Sequence, residues 1–473
     1  MMSIFHPQRF LSIVLLLVST TIIACSQSGT QAENGWDALP ELLKHINPPT
    51  FPDRDFLVTD FGAVADGRSD CTDAFRKAIE ACNAAGGGRV VVPPGTFLTG
   101  AIHLKSNINL YVSKNATIRF STDPKKYLPV VFTRWEGVEL MNYSPLLYAY
   151  EQENIAITGE GVLDGQASVE DWWIWKGRKE YGWKEGMPNQ NKARKVLFEM
   201  GEENVSVSER IFGEGHYLRP NFFQPYKCKN ILIEGVTFKD SPMWFLHPVL
   251  SQNITVRGVT VVGLGPNNDG CNPESSKDVL IKNTYFDTGD DCIAIKSGRN
   301  NEGRRIAVPS ENIIVQDCIM KEGHGGVVVG SEMSGGVKNV FAERCAMDSP
   351  NLDRALRIKT NSVRGGFVEN VFMRDITVGQ VADAVILVDF YYEEGDAGSF
   401  DPRVRNIQVR NLKSGKSPYA LFMKGFGRAP IVDVLLENCT FDNVEKPSVI
   451  EQTKNVRLVN VKVNGEDVSQ RIE

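Results

Sequence analysis

Apolar and polar residues alternate along most of this chain, in units that open on Asn or Asp. "NIAITGEGVLDG" starts at Asn154, "NILIEGVTFKD" at Asn230, "NITVRGVTVVG" at Asn253, "DVLIKNTYFDT" at Asp278 and "NIIVQDCIMKE" at Asn312. Further units start at Asn339, Asn370, Asn406, Asp433 and Asn455. From Asn230 onward the starts lie 23, 25, 34, 27, 31, 36, 27 and 22 residues apart. A period of two marks a strand with one buried face. One such unit cannot bury its apolar face alone, whereas stacked coils can, so a strand repeat of this length without helices predicts a solenoid. The expected fold is all-β, a right-handed, single-stranded parallel β-helix. The Asn at each turn reads as structural, because Asn tolerates left-handed backbone angles and bonds its neighbours. Cys292, Cys318 and Cys345, spaced 26 and 27 residues apart, are expected as stacked core thiols.

Two segments break the rhythm. Ahead of the repeats, Asp70 or Thr72 can cap a helix with Phe75, Ile79 and Cys82 on its apolar side, ended by "GGG" and followed by a short strand, "RVVVP". This predicts a short N-terminal helix capping the solenoid. Residues 167–229 hold Trp172, Trp173, Trp175 and Trp183 interleaved with Lys and Arg, and read as a loop insertion. Two readings of the tryptophans stand open: sugar rings stack on aromatic faces while Lys and Arg meet acidic sugars, or the rings pack the insertion onto the solenoid.

The first 25 residues read as an export signal. Arg9 precedes "FLSIVLLLVSTTIIA", too short and wrongly flanked for a membrane span. "IIAC" resembles a bacterial lipobox, which implies lipidation of Cys25 and a lipid anchor to a membrane. Residues 26–50 are expected as a tether and 51–473 as the β-helix domain. The tether lacks an acidic run, and the expected location is that of an exported lipoprotein of a Gram-negative bacterium, periplasmic or at the outer membrane. The eight cysteines after Cys25 lack zinc-site spacing. A net charge of −6 gives no footprint for nucleic acid as a partner.

The repeat also gives meaning to "TGDDCIAIKSG", residues 288–298. Asp290 and Asp291 lie 12 and 13 residues after Asp278, His324 lies 12 after Asn312, and Asp269 lies 16 after Asn253. Arg357 and Lys359 follow Asn339 by 18 and 20, and Tyr391 and Tyr392 follow Asn370 by 21 and 22. Coils stacked about 4.8 Å apart would bring these residues into one stripe. Three carboxylates beside a histidine suit glycosidic cleavage, in which one carboxyl donates a proton and another activates water or attacks. Arg357 and Lys359, at alternate positions of one strand, can share an anionic ligand.

In this order the segments resemble glycoside hydrolase family 28, the polygalacturonases. The family pattern of Asn-Thr-Asp, Gly-Asp-Asp, Gly-His-Gly and Arg-Ile-Lys reads here "NND" (267–269), "GDD" (289–291), "GHG" (323–325) and "RIK" (357–359). Asn268 stands where Thr is common. The resemblance covers about residues 50–465 and implies a hydrolase of pectic oligo- or polysaccharides, acting on α-galacturonosidic bonds with no cofactor and no metal. It implies Asp290 as general acid, Asp269 and Asp291 as holders of the attacking water, and His324 as keeper of the acid's proton. Arg357, Lys359, Tyr392 (preferred to Tyr391) and Asn267 would bind substrate. It also implies inversion, for which the carboxyls would have to splay beyond one strand spacing, since inverting pairs stand about 6.5–9.5 Å apart. The 167–229 insertion, with Arg219 of "YLRPNFFQPY", is expected to close one end of the groove and favour exo action. The alternatives are a hydrolase of rhamnogalacturonan, a calcium-dependent pectate lyase on the same fold, and a non-catalytic glycan-binding solenoid.

Overall fold

A computed structural model describes residues 35–473. Cys25 and the export signal lie outside the described residues. The chain winds into a parallel β-helix whose coils stack in the register of the sequence units. Ile155 pairs with Ile231, Ile231 with Ile254, Ile254 with Val279, and Val279 with Ile313. The stack continues through Val340, Val371, Ile407 and Val434 to Val456. Each of these is the residue after a unit's opening Asn or Asp, and each is buried. The alternation therefore does set the register, because a slip of one residue would turn every apolar side chain outward.

The opening residues form a ladder of their own. Each has φ between 55° and 63°, and each Asn donates its side-chain amide to the side-chain oxygen one coil earlier: Asn154 to Asn107, Asn230 to Asn154, and Asn253 to Asn230. A second run goes from Asn312 back to Asp278 and forward through Asn339, Asn370 and Asn406. An ionised Asp accepts but cannot donate, so Asp278 leaves the Asn253 oxygen open. The backbone N–H of Asn47 fills it at 2.8 Å. Asp433 leaves Asn406 open in the same way, and Gln408 supplies the missing donor at 2.9 Å.

Asn47 ends a segment that was expected to be tether. From Gly35 onward that expectation gives way. Residues Gly35–Lys44 form a 3₁₀ turn and a short helix, and Trp36, Leu39 and Ile46 are buried against Ile314, Phe341 and Phe372 on the outer face of the coils. Arg374 lies over the Trp36 ring, 4.0 Å from its centre. The alternation of the coils hides this docking, since it marks faces but not which outward face carries aromatics.

The capping helix spans Thr72–Ala84, with Phe75, Ile79 and Cys82 buried as expected. The thiol stack is smaller than expected. Cys318 falls level with Cys345 in the register that pairs Ile319 with Ala346, but Cys292 belongs to another sheet, next to Ile293. All eight described cysteines are buried and free. The other sheet runs Ile293–Ile295, Val327–Gly330, Arg354–Lys359, Ala384–Asp389, Tyr419–Lys424 and Val449–Glu451, all parallel. An antiparallel hairpin, Val131–Trp135 with Val138–Asn142, and the helices Asn191–Glu202 and Asn300–Ile306 stand over one end of it. Among the described residues no helix is long and apolar enough to cross a membrane.

Replacing Trp36 by Ala removes the anchor of the docked segment. Trp-to-Ala losses run to about 3–5 kcal/mol in a packed site. Hydrogen exchange is expected to quicken by orders of magnitude over residues 35–47 while strands such as Ser310–Gln316 and Val337–Glu343 keep their protection.

Candidate active site

The site lies on that second sheet, where its strands begin. Single bridges pair Cys271 with Ile293 and carry the ladder on to Val327. Two residues earlier Asp269 stands level with Asp291, and three residues earlier Asp290 stands level with His324. One oxygen from each of Asp269, Asp290 and Asp291 lies within 4.8 Å of the others. The glycines of the two motifs allow this approach. A Cβ on Gly289 would sit 2.3 Å from the Gly265 carbonyl oxygen, and one on Gly323 (φ 140°) would sit 2.3 Å from that of Asp290.

Each carboxylate faces a cation. Asp290 Oδ1 is 3.0 Å from His324 Nδ1. Asp291 accepts from Lys359 Nζ at 2.7 Å and from Arg357 Nη1 at 3.3 Å. Asp269 accepts from Asn272 at 2.9 Å and lies 3.6 Å from Lys296 Nζ. Tyr392 covers the pair, its ring centre 5.4 Å from the Arg357 guanidinium and 5.3 Å from Lys359 Nζ. Tyr391 points elsewhere, to Phe426 and Lys424. Arg357 and Lys359 thus share an anion, as their alternation predicts, but in this structure the anion is Asp291.

Burial and the Asp290 charge push Asp269 up to about 8. Burial also works against an ionised Asp290, but the His324 hydrogen bond and charge outweigh it and hold Asp290 well below the usual carboxylate range. The same bond raises His324 to about 9. At neutral pH the resting protons therefore sit on Asp269 and on His324, whose Nδ1 is 3.0 Å from Asp290.

Sequence reasoning passed over Lys296, although it stands in the quoted stretch. It is buried, bonds Glu332 at 3.0 Å, and rides over Trp244 at 4.6 Å from the ring centre. Its alternation with Ala294 was the available signal. Glu136 and Arg194, paired at 2.8 Å, were also missed, because the hairpin turn and helix that carry them lie outside the repeat.

These residues line a cleft of ≈ 370 Å³. Asp269, Asp290, Asp291, Lys296, His324, Lys359 and Tyr392 form one wall, and Lys176, Arg178, Tyr181 and Arg194 of the insertion face them. Asn267 is on the lining too, its Oδ1 accepting from Lys176 at 2.6 Å and Arg219 at 2.8 Å. The open reading of the tryptophans is decided here, and the placing of Arg219 is corrected. None of Trp172, Trp173, Trp175 and Trp183 lines the cleft: Trp172 is buried edge-on against Trp175 and Tyr127, and Trp173 donates to the Ser241 carbonyl. Arg219 is fully buried behind the wall, donating to the carbonyls of Pro242 and Pro266.

Residues 213–417 match the glycosyl hydrolases family 28, and residues 56–122 match the family described as rhamnogalacturonase A/epimerase, pectate lyase-like. The crystal structure of a hyperthermoactive exopolygalacturonase from Thermotoga maritima is 49% identical, covers 93% of this chain and 98% of its own, and superposes with a TM-score of 0.90. This chain belongs to glycoside hydrolase family 28. A probable polygalacturonase of Vitis vinifera is 27% identical over 84% of this chain and 76% of its own length. An exo-poly-α-D-galacturonosidase of Dickeya chrysanthemi is 26% identical over 76% of this chain and 63% of its own. The family hydrolyses glycosidic bonds, and the balance of three acids against His324, Lys296, Lys359 and Arg357 fits that chemistry better than a divalent-cation site, whose ligands would be free of competing cations.

The His324 assignment has a direct check. Replacing Asp290 by Asn removes the charge and acceptor that raise the imidazole, so its titration, followed by NMR, is expected to fall from about 9 towards its ordinary 6.5.

Proposed function

We propose that this protein is an exo-acting galacturonan hydrolase that releases galacturonate from chain ends by acid–base catalysis. The observation that carries the reading is the make-up of the cleft: paired acids and a histidine on the solenoid wall, and basic side chains of an insertion on the wall opposite. A substrate with one carboxylate per sugar suits the bases, and a wall built by an insertion suits a chain end better than a continuous chain. The exo-acting names of the Thermotoga and Dickeya relatives support it.

In this reading Asp290 is the acid. When substrate excludes water, an imidazolium–carboxylate pair loses solvation, and its neutral form gains relative to it. The proton then moves the short way from His324 to Asp290 and on to the leaving oxygen. Asp291, held ionised by Lys359 and Arg357, and Asp269 hold the water. The raised Asp269 pKa favours a second reading in which Asp269 is the acid. An aryl galacturonide with an activated leaving group separates them, because the variant lacking the acid retains turnover on it and the variant lacking a water holder does not.

On polygalacturonic acid, monogalacturonate or digalacturonate is expected from the first time point, without ultraviolet absorbance and unchanged by EDTA. Mid-sized oligomers first would refute exo action, absorbance with EDTA sensitivity would indicate a lyase, and product only from rhamnogalacturonan fragments would shift the substrate. Asp290→Asn is expected to lower kcat by about 10²–10⁴-fold, the usual worth of a general acid. Inversion is proposed on family resemblance, and NMR of the first-formed anomer tests it. Export and lipidation of Cys25 are proposed on the sequence pattern; Cys25→Ser is expected to move the protein from the membrane to the soluble fraction.

A further inference from the structure

Of the cationic side chains that line the cleft, one lacks a carboxylate partner. Lys359 is taken by Asp291, Lys296 by Glu332 and Asp269, Arg194 by Glu136, Arg178 by Glu180 and His324 by Asp290. Lys176 has no carboxylate in salt-bridge reach among the described residues; its Nζ donates to the neutral Oδ1 of Asn267. Arg219 donates to that same oxygen from behind, so two cations share one uncharged acceptor at the cleft wall. Like charges held this close cost free energy unless an anion joins them. Burial and the Arg219 charge hold Lys176 down to about 8, which marks it as a cation in want of a counter-ion.

The position is built rather than incidental. Lys176 ends the 3₁₀ turn Trp173–Lys176. Trp172, in the core just before the turn, and Trp175, packed against it, hold that turn, 4.9 Å apart between ring centres, and Trp175 also packs on Tyr217 at 5.2 Å. Trp173 packs against Gly265, where a Cβ would come within 2.1 Å of the indole, and this ties the turn to the loop bearing Asn267 and Asp269. An ordinary surface lysine has no such support.

We propose that Lys176 is a specificity-determining residue that receives the carboxylate of the sugar on the Asp290 side of the cleft, with Arg219 reinforcing it through Asn267. Arg357 and Lys359, engaged with Asp291, then serve the water-holding acid as well as the substrate. The inference rests on the galacturonan reading for its ligand class.

The test is calorimetric titration of the whole chain, wild type and variants, with galacturonate and with neutral galactose. Wild type is expected to prefer galacturonate. Lys176→Met should weaken galacturonate binding about tenfold or more, the scale of a charge-assisted bond, and move galactose less than about twofold. Lys176→Arg, which keeps the charge on a somewhat longer side chain, should recover part of the loss. Equal weakening of both sugars by Lys176→Met would mean a structural role and overturn the inference, as would unchanged galacturonate binding or a wild type without preference. Galacturonate preference lost in Lys176→Met, in a wild type that fails to cleave galacturonan, would uphold this inference and sink only the proposed reaction.

Discussion

Stacking parallel coils at one strand spacing is the constraint on which the rest of this molecule depends. It sets three carboxylates within 4.8 Å of one another. Two like charges at such a distance repel by roughly 3–4 kcal/mol at an effective dielectric near 20. The surrounding chemistry answers that repulsion. Asp291 is neutralised by Lys359 and Arg357, Asp290 by His324, and Asp269 holds its proton up to about 8 with Lys296 beside it. The same crowding thereby keeps one proton on Asp269 and another on His324.

The glycines and the tryptophans serve this arrangement from different sides. Gly289 and Gly323 let the turns bearing the acids and His324 come together without a Cβ between them. The tryptophans of the insertion do their work away from the cleft, as the foundation of a wall whose polar face carries the charges. The two readings left open by composition resolve towards packing, and the basic residues interleaved with the rings are what meet the cavity.

The coils were legible because each unit repeats both a period and a phase. The ten opening residues all stack, with Asn107 extending the ladder by one coil, and their phase brings Asp269, Asp290, Asp291, His324, Lys359 and Tyr392 to one wall, with Arg357 behind Asp291. What lay outside the repeat was not legible. Arg194 and Glu136 meet across 58 positions with no shared period. Residues 35–46 were expected as tether although Trp36, Leu39, Leu42, Leu43 and Ile46 recur in them at helical spacing, and what the sequence did not show was the outer-face partner, Ile314, Phe341 and Phe372, on which they dock. Cys292 kept the right spacing but sat on the wrong sheet, because spacing alone cannot tell which side of a coil a residue occupies. Lys296 was hidden by its buried neighbours, which made the strand read as core.

The amide ladder has a direction, and the direction matches the order in which a ribosome makes the chain. Every side-chain amide reaches back to an oxygen already in place, so each finished coil presents an unfilled acceptor to the coil still to come. Asp278 and Asp433 act as punctuation in that process, since a carboxylate can receive the next coil but cannot close the one before. At the first stop the acceptor is claimed by Asn47, synthesised some 206 residues ahead of its partner. An early segment therefore claims an acceptor that exists only once the coil at Asn253 is in place, whereas at the second stop a residue two places on, Gln408, closes the gap from within the same strand.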